Sequence, residues 1–192
     1  MSDAATDLLS PAPPLGEMLE TADHISSADL TKALSFQEQF GGRLGAILIR
    51  IGAVAEQDVL VALSEQIGFG IIDRSILPQD ATVYVECLSK TSIAPIWWVD
   101  ADVLLWRSPD GSPNCISRDP LEPSLQETVC GAFSGEAVTW WLISSRDLDF
   151  MLDLVRQNLI GDTIDVGDDV ALLRELAEEA PVVELVSNTL AQ

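Results

Sequence analysis

The sequence predicts an α+β fold. A unit of four short helices formed by a tandem repeat is followed by a small α/β unit, with a sheet of about three to four strands, and then by an acidic linker and short helices. The chain has 192 residues and is 47% hydrophobic, which is enough for a core and excludes a wholly disordered acidic chain. Apolar residues recur at helical spacing before Gly68, whereas short β-type runs alternate with helical segments after it.

The charge is uniformly acidic. The chain carries 31 Asp and Glu against 10 Lys and Arg, and regions 1–66, 67–160 and 161–192 each have a formal charge of −7. No region offers a basic face, so neither a nucleic acid polymer nor an anionic membrane is expected as a partner. Residues 1–15 lack Lys and Arg, and no uncharged apolar stretch of about 18 residues occurs, so neither a secretory signal nor a membrane-spanning helix is predicted.

A tandem repeat with an offset of 29 residues predicts the helical unit, residues 14–67. When residues 14–37 are laid over residues 43–66, eight of 24 positions are identical. The identical pairs are Leu15/Leu44, Gly16/Gly45, Leu19/Leu48, Asp29/Asp58, Ala33/Ala62, Leu34/Leu63, Ser35/Ser64 and Gln37/Gln66. Leu30/Val59 and Ile25/Val54 are conservative pairs.

Each repeat reads as a helical hairpin. A short helix begins at Leu-Gly, a break follows near Asp23 or Gly52, and a longer helix comes next. In the first repeat Ser26 or Ser27 is the expected N-cap of the longer helix, and Gly41 with the glycine after it should end that helix. Four helices are therefore predicted before residue 68.

The α/β unit, residues 68–160, is predicted from alternating short segments. Strands are expected at 70–73, 93–99, 103–107 and 137–144, and helices at 80–90, 123–133 and 147–159. The strands 93–99 and 103–107 should pair across Asp100 and Ala101, and a turn-rich loop should follow at 108–114. The Trp97-Trp98 and Trp140-Trp141 pairs then lie on strands, with one member of each pair in the core and the other against a helix, the other unit or a partner.

The two ends of the chain are predicted to be less structured. Residues 1–13 should be disordered, and residues 161–169 are acidic and rich in Gly, which is typical of a linker. A short helix is expected near 170–178 and another beginning at Pro181.

The repeat resembles a known family. Residues 43–66 match the pattern R-L-G-x2-L-x10-L-x3-L-x2-Q except for Val59 in place of a leucine. The pattern is similar to the MshE-type N-terminal domain of type II secretion and type IV pilus assembly ATPases, in which two such motifs five residues apart bind cyclic di-GMP. Gln37 and Arg43 also enclose five residues. Residues 119–123 and the tail at 178–187 are similar to other parts of that region, so residues 161–192 would lead into an ATPase core that lies outside this chain.

The resemblance implies a cyclic di-GMP site made of two half-sites. Its residues would be Arg43, Leu44, Gly45, Leu48, Val59, Leu63 and Gln66 from the second motif, and Leu15, Gly16, Leu19, Leu30, Leu34 and Gln37 from the first. Glycine at a helix start allows close approach of phosphate, and an Arg fork matches the O6 and N7 edge of guanine. The first motif departs from the pattern, because Pro14 replaces the arginine and removes one cation.

Several of these residues have a purely structural alternative. The Leu and Val positions suit the core of a four-helix unit, and each Gln could bond a helix end. His24 is expected to be solvated or to cap a helix, and the Asp residues of 162–169 lack the pattern of a calcium loop. The cysteines Cys87, Cys115 and Cys130 are odd in number and lack C-x-x-C spacing, so we expect reduced thiols and neither disulfides nor a metal site.

Nothing in the sequence indicates catalysis or a cofactor, because a G-x-x-x-x-G-K-[ST] loop and the H-E-x-x-H and G-x-S-x-G motifs are all missing. The resemblance implies a regulatory and docking region, cytoplasmic and peripheral to the inner membrane. It would join an ATPase core to an inner-membrane platform protein, with cyclic di-GMP as a possible ligand. The competing hypothesis is a protein adaptor in which the repeat is only structural.

Overall fold

The computed structural model describes residues 13–164, which form eight helices and four strands, so the predicted α+β class is confirmed. The helical unit contains α1 (Leu15–Thr21), α2 (Ser27–Phe40), α3 (Leu44–Arg50) and α4 (Glu56–Ile67). The α/β unit contains β1 (Gly70–Ile71), α5 (Ala81–Ser89), α6 (Pro95–Asp100), β2 (Val103–Arg107), β3 (Pro113–Ser117), α7 (Pro123–Ala132), β4 (Thr139–Leu142) and α8 (Ser145–Ile164).

Local signals define the four helices of the repeat. Ser26 is the N-cap of α2 and forms a capping box with Asp29: the Ser26 hydroxyl accepts from the Asp29 N–H at 3.2 Å, and the Asp29 carboxylate accepts from the Ser26 N–H at 3.3 Å. Hydrogen bonds from Ser26 also lower the pKa of the Asp29 carboxyl. The predicted breaks lie where expected, since Asp23 and Gly52 have φ of 58° and 72°. Gly41, with φ of 71°, ends α2.

The two repeats pack against each other through contacts between a short helix of one and the long helix of the other. Helix α1 lies against α4, and α3 lies against α2, so each short helix contacts the long helix of the other repeat. Together they enclose a core of Leu19, Ile25, Ala33, Ile47, Leu48, Val54, Val59 and Ala62. A hairpin of one repeat therefore buries its apolar face only in the presence of the other.

The four strands form a mixed sheet with the order β1-β4-β3-β2. Strand β4 is parallel to both β1 and β3, while β2 and β3 are antiparallel. Helices α5 and α6 contact β2, and α8 packs on α5 and α6. The sheet and these helices enclose a second core, which includes Tyr84, Trp98, Leu104, Ile116 and Met151 and shares no member with the core of the helical unit.

The strand predicted at 93–99 is wrong. Residues 95–99 of this range lie in the short helix α6, with Pro95 in its first turn, where the missing N–H costs nothing. Trp98 and Val99 face the core from this helix and are fully buried. Asp100 and the next residue therefore do not join two strands, and β2 pairs with β3 instead, with Arg107 opposite Pro113.

Strand β3 was not predicted, and its first two residues lie in the expected loop at 108–114. The predicted strand at 137–144 is shortened to β4, and the predicted helix at 147–159 extends at both ends to form α8. The beginning of the expected linker at 161–169 is thus helical to residue 164. The helices expected near 170–178 and from 181 onward lie outside the described residues, as does the N-terminal segment before residue 13.

Candidate functional site

Each motif glycine lies where its short helix meets the long helix of its own repeat and the short helix of the other repeat. A Cβ added at Gly16 would come within 2.6 Å of a Leu30 methyl and 3.1 Å of a Leu44 methyl. A Cβ added at Gly45 would come within 2.9 Å of a Val59 methyl and 3.3 Å of a Leu15 methyl. The two glycines contact equivalent positions of the repeat, and these contacts give both glycines a packing role that is independent of any ligand.

The motif glutamines hold the entry to each short helix. Gln37 Nε2 donates to the backbone oxygen of Gly42 at 2.7 Å, and Gln66 Nε2 donates to that of Pro13 at 2.8 Å. The acceptors immediately precede Arg43 and Pro14, the N-cap residues of α3 and α1. The side-chain amides thus bond the backbone just before each short helix, which gives them a structural role independent of any ligand.

The apolar residues of the expected site divide by burial. Leu19, Leu48 and Val59 belong to the core, with exposed fractions of at most 4%. Leu34 is 46% exposed. The remaining four, Leu15, Leu30, Leu44 and Leu63, are half-buried. Only the exposed and half-buried residues can touch a ligand without a change in packing.

Arg43 connects the helical unit to the α/β unit. Its Nη1 donates to the backbone oxygen of Arg118 at 2.6 Å, and its Nη2 lies 2.7 Å from Asp119 Oδ2. The Arg43 side chain remains 55% exposed. A second contact between the units is the hydrogen bond from the Ser145 N–H to Glu56 Oε1, at 2.9 Å.

The partners of Arg43 were not identified from the sequence. Nothing in the sequence around Arg118 and Asp119 points to Arg43, which lies 75 positions before Arg118 in the chain. Arg118 is itself held by the carboxylates of Asp102, at 2.7 Å, and Asp149. The hydrogen bond to Asp102 is the main cause of the raised pKa of Arg118.

A cleft of about 550 Å³ opens where Arg43 of the helical unit reaches the α/β unit, which supplies the other nine lining residues. Its charged lining residues are Arg43, Asp102, Arg118, Asp119 and Glu122. Its other lining residues are Trp97, Ala101, Ser124, Leu125 and Thr128.

A second cleft, of about 400 Å³, lies between α5 and the end of α7. Arg107 reaches across it to Glu136 through two hydrogen bonds of 2.8 and 2.9 Å. Cys87 lines the same cleft, and burial raises the pKa of its thiol, so the sulfur is held in the protonated, unreactive form. Within residues 13–164 no group of three His, Cys, Asp or Glu side chains is placed to hold a metal ion.

The remaining expected residues are His24 and the two tryptophan pairs. His24 Nδ1 lies 3.6 Å from Asp58 Oδ2, with both side chains partly exposed. Trp98 is fully buried and Trp97 is 45% exposed, but on helix α6 rather than on a strand. Trp140 and Trp141 are on strand β4 as predicted, but both are half-buried, so the expectation that one of the two lies in the core is wrong. Among the described helices, none combines the length and the low polarity needed to cross a membrane.

Comparison with known proteins places this geometry in context. No protein-family model matches the chain. The type II secretion system protein E of Xanthomonas campestris pv. campestris is 25% identical over 182 residues, which cover 89% of this chain and 31% of that protein. The chain thus spans about a third of the length of this relative.

Two solved structures share the fold. A structure of MshE with cyclic di-GMP has a TM-score of 0.61 and 25% identity, and covers 73% of this chain and 97% of the MshE chain. The N-terminal domain of XpsE has a TM-score of 0.55 and 19% identity, and covers 73% of this chain and 92% of the XpsE chain. Sequence and fold together therefore identify the chain as homologous to the N-terminal region of secretion and pilus-assembly ATPases.

Proposed function

We propose that this chain is the regulatory and docking region of a secretion or pilus-assembly ATPase, and that it binds cyclic di-GMP mainly through its second motif. The observation that carries the proposal is the exposed guanidinium of Arg43 at the start of α3. The likeness to MshE, solved with cyclic di-GMP, supports the choice of ligand. On this proposal the region is cytoplasmic and has no catalytic activity of its own.

Arg43 retains donors for a ligand. A guanidinium has five N–H groups; one on Nη1 donates to the Arg118 backbone oxygen, and Nη2 forms an ion pair with the Asp119 carboxylate. The remaining groups can donate to O6 and N7 of guanine. Those contacts also fix the direction of the side chain, which lowers the entropy that a ligand must overcome.

The two half-sites should differ in strength. Pro14 occupies the position equivalent to Arg43 and offers neither a charge nor an N–H donor. One bidentate contact from an arginine to guanine contributes about 1–3 kcal/mol of binding free energy, which is roughly 5- to 150-fold in Kd. We therefore expect weak binding by the natural chain.

Calorimetric titration with cyclic di-GMP tests the site. Arg43→Ala should abolish binding, and Pro14→Arg should strengthen it by roughly 5- to 150-fold. Arg50→Ala is the matched control, because it removes the same charge from an exposed position at the other end of α3. If Pro14→Arg gains nothing and Arg43→Ala loses nothing, the nucleotide site is refuted.

The second candidate function is a protein adaptor with a structural repeat. It is favoured by the packing of Gly16 and Gly45 and by the hydrogen bonds of Gln37 and Gln66, which account for four motif residues without a ligand. It predicts that none of the variants above binds cyclic di-GMP, while docking to a protein partner persists.

Docking is proposed to involve the α/β unit and a cytoplasmic domain of an inner-membrane platform protein, with the ATPase core of the parent chain as a second partner. The acidic surface favours a basic partner face. Pull-down of the complete chain with the cytoplasmic domains of the secretion proteins encoded beside it tests the docking proposal. Docking should weaken as salt is raised, and capture of none of these domains at low salt would contradict the proposal.

A further inference from the structure

Trp97 stands out among the exposed side chains because its surroundings hold it in place. Helix α6 presents two adjacent tryptophans, and Trp98 is fully buried, with Nε1 donating to the Thr91 hydroxyl at 3.1 Å. The two indole rings meet edge to face, with centroids 5.1 Å apart and planes at 84°. The anchored ring of Trp98 thus supports Trp97, which remains 45% exposed and lines the cleft beside Arg43.

The charges of the cleft determine which part of a nucleotide it can accept. Two arginines line it together with the three carboxylates of Asp102, Asp119 and Glu122, so its formal charge is −1. A phosphodiester anion would be repelled by this lining. A neutral base is not repelled, and guanine presents both acceptors and N–H donors, which match a lining of guanidinium and carboxylate groups.

An aromatic face beside an arginine is a common arrangement for holding a nucleic acid base. Stacking on an aromatic side chain contributes substantially to base affinity and is available to any base. The adjacent guanidinium then distinguishes guanine by its O6 and N7 atoms. The cleft combines an exposed indole with a guanidinium whose direction is fixed by Arg118 and Asp119.

We infer that the cleft between the helical and α/β units holds one guanine base of the cyclic dinucleotide, stacked on Trp97 while Arg43 bonds its O6 and N7 edge. The inference rests on the proposed function and adds to it a binding residue from outside the repeat. The phosphates then lie outside the cleft, toward the helical unit. Stacking on Trp97 offsets part of the affinity lost through Pro14.

The experiment measures cyclic di-GMP affinity in the Pro14→Arg protein, where binding is expected to be strongest. Adding Trp97→Leu should weaken binding by roughly 5- to 150-fold, whereas Trp97→Phe, which keeps a stacking face, should stay close to the parent. Ile96→Ala is the matched control, since Ile96 is a 43% exposed neighbour on α6 that does not line the cleft. It should leave affinity unchanged.

Two further measurements sharpen the test. Binding should quench tryptophan fluorescence, and most of the quenching should disappear in Trp97→Phe. Cyclic di-AMP should bind more weakly than cyclic di-GMP, because adenine lacks the O6 acceptor. Chemical unfolding of each variant confirms that the protein remains folded.

The outcomes separate the inference from the proposed function. If Pro14→Arg binds and Trp97→Leu binds equally well, the base does not stack on Trp97, although the repeat is still a nucleotide site. If Trp97→Leu loses only the capture of a platform domain, the indole serves protein docking and the inference is overturned. If no variant binds cyclic di-GMP, the proposed function fails and the inference fails with it.

Discussion

Gly45→Ala is a sharp test of the packing assigned to the repeat. The added methyl would lie 2.9 Å from a Val59 methyl and 3.3 Å from a Leu15 methyl. Val59 is 4% exposed and β-branched, with one strongly preferred rotamer in a helix, so it cannot turn away. Overpacking of this kind costs about 1–3 kcal/mol, and alanine returns up to about 1 kcal/mol through its higher helix propensity. We expect a net loss of about 1–2 kcal/mol in the free energy of unfolding.

Gly16→Ala should destabilise the protein less than Gly45→Ala, although the added Cβ would lie closer to its nearest neighbour. The nearest atom is a Leu30 methyl at 2.6 Å, which belongs to a flexible, half-buried side chain that can rotate toward solvent. The control is Gly131→Ala in α7, where an added Cβ meets no atom within 4 Å. That variant should be neutral or more stable by up to about 1 kcal/mol.

Equilibrium urea unfolding, followed by circular dichroism, provides the comparison. The expected order of stability is Gly131→Ala, then Gly16→Ala, then Gly45→Ala, with unchanged m-values. If Gly45→Ala proves as stable as Gly131→Ala, the close approach of α3 to α4 at this glycine is not a stabilising contact. The packing role assigned to the motif glycine would then be refuted.

Two further predictions concern single groups of the α/β unit. Cys130 is exposed, whereas Cys87 and Cys115 are buried, and burial raises the pKa of both buried thiols. A thiol reagent should therefore modify Cys130 rapidly and the other two cysteines only after denaturation. Rapid modification of two or more cysteines in the folded protein would contradict this. Asp80 caps α5 by accepting from the Thr82 N–H at 2.9 Å, and hydrogen bonds from Thr82 lower its pKa. Its stabilising effect should therefore be present above about pH 4 and lost as the pH falls through the lowered pKa. Asp80→Ala should differ from the natural chain at pH 7, and the difference should shrink as the pH is lowered below about 4, as measured by thermal unfolding.

Elements with strong local signals were predicted well. The capping box at Ser26, the glycine stop at Gly41 and the breaks at Asp23 and Gly52 depend on backbone conformations that a few neighbouring residues decide. The self-similarity of residues 14–66 then showed that the same hairpin occurs twice. These features do not require knowledge of distant contacts.

Helix α6 and strand β3 show where local reasoning fails. The run from Ile93 to Val99 is apolar and aromatic, and a run this short suits a buried strand or a buried helix equally. Strand β3 contains the polar residue Asn114, which resembles loop sequence. Yet Asn114 is 4% exposed, because its amide donates to Ser108 and Ser112 and its oxygen accepts from Trp141. Two neighbouring strands make this polar segment a central strand, and neither neighbour can be inferred from the segment itself.

The sequence by itself determined the repeat, the four helices that it forms, the composition of the expected half-sites and the absence of an arginine at Pro14. Only the tertiary structure decided that the motif glycines meet the opposite repeat and that Arg43 reaches Arg118 and Asp119 beside Trp97. The physical reason is the range of the interactions. Caps and helical periodicity act over a few residues, whereas the inter-unit cleft joins side chains that are tens of residues apart and meet only after both cores have formed.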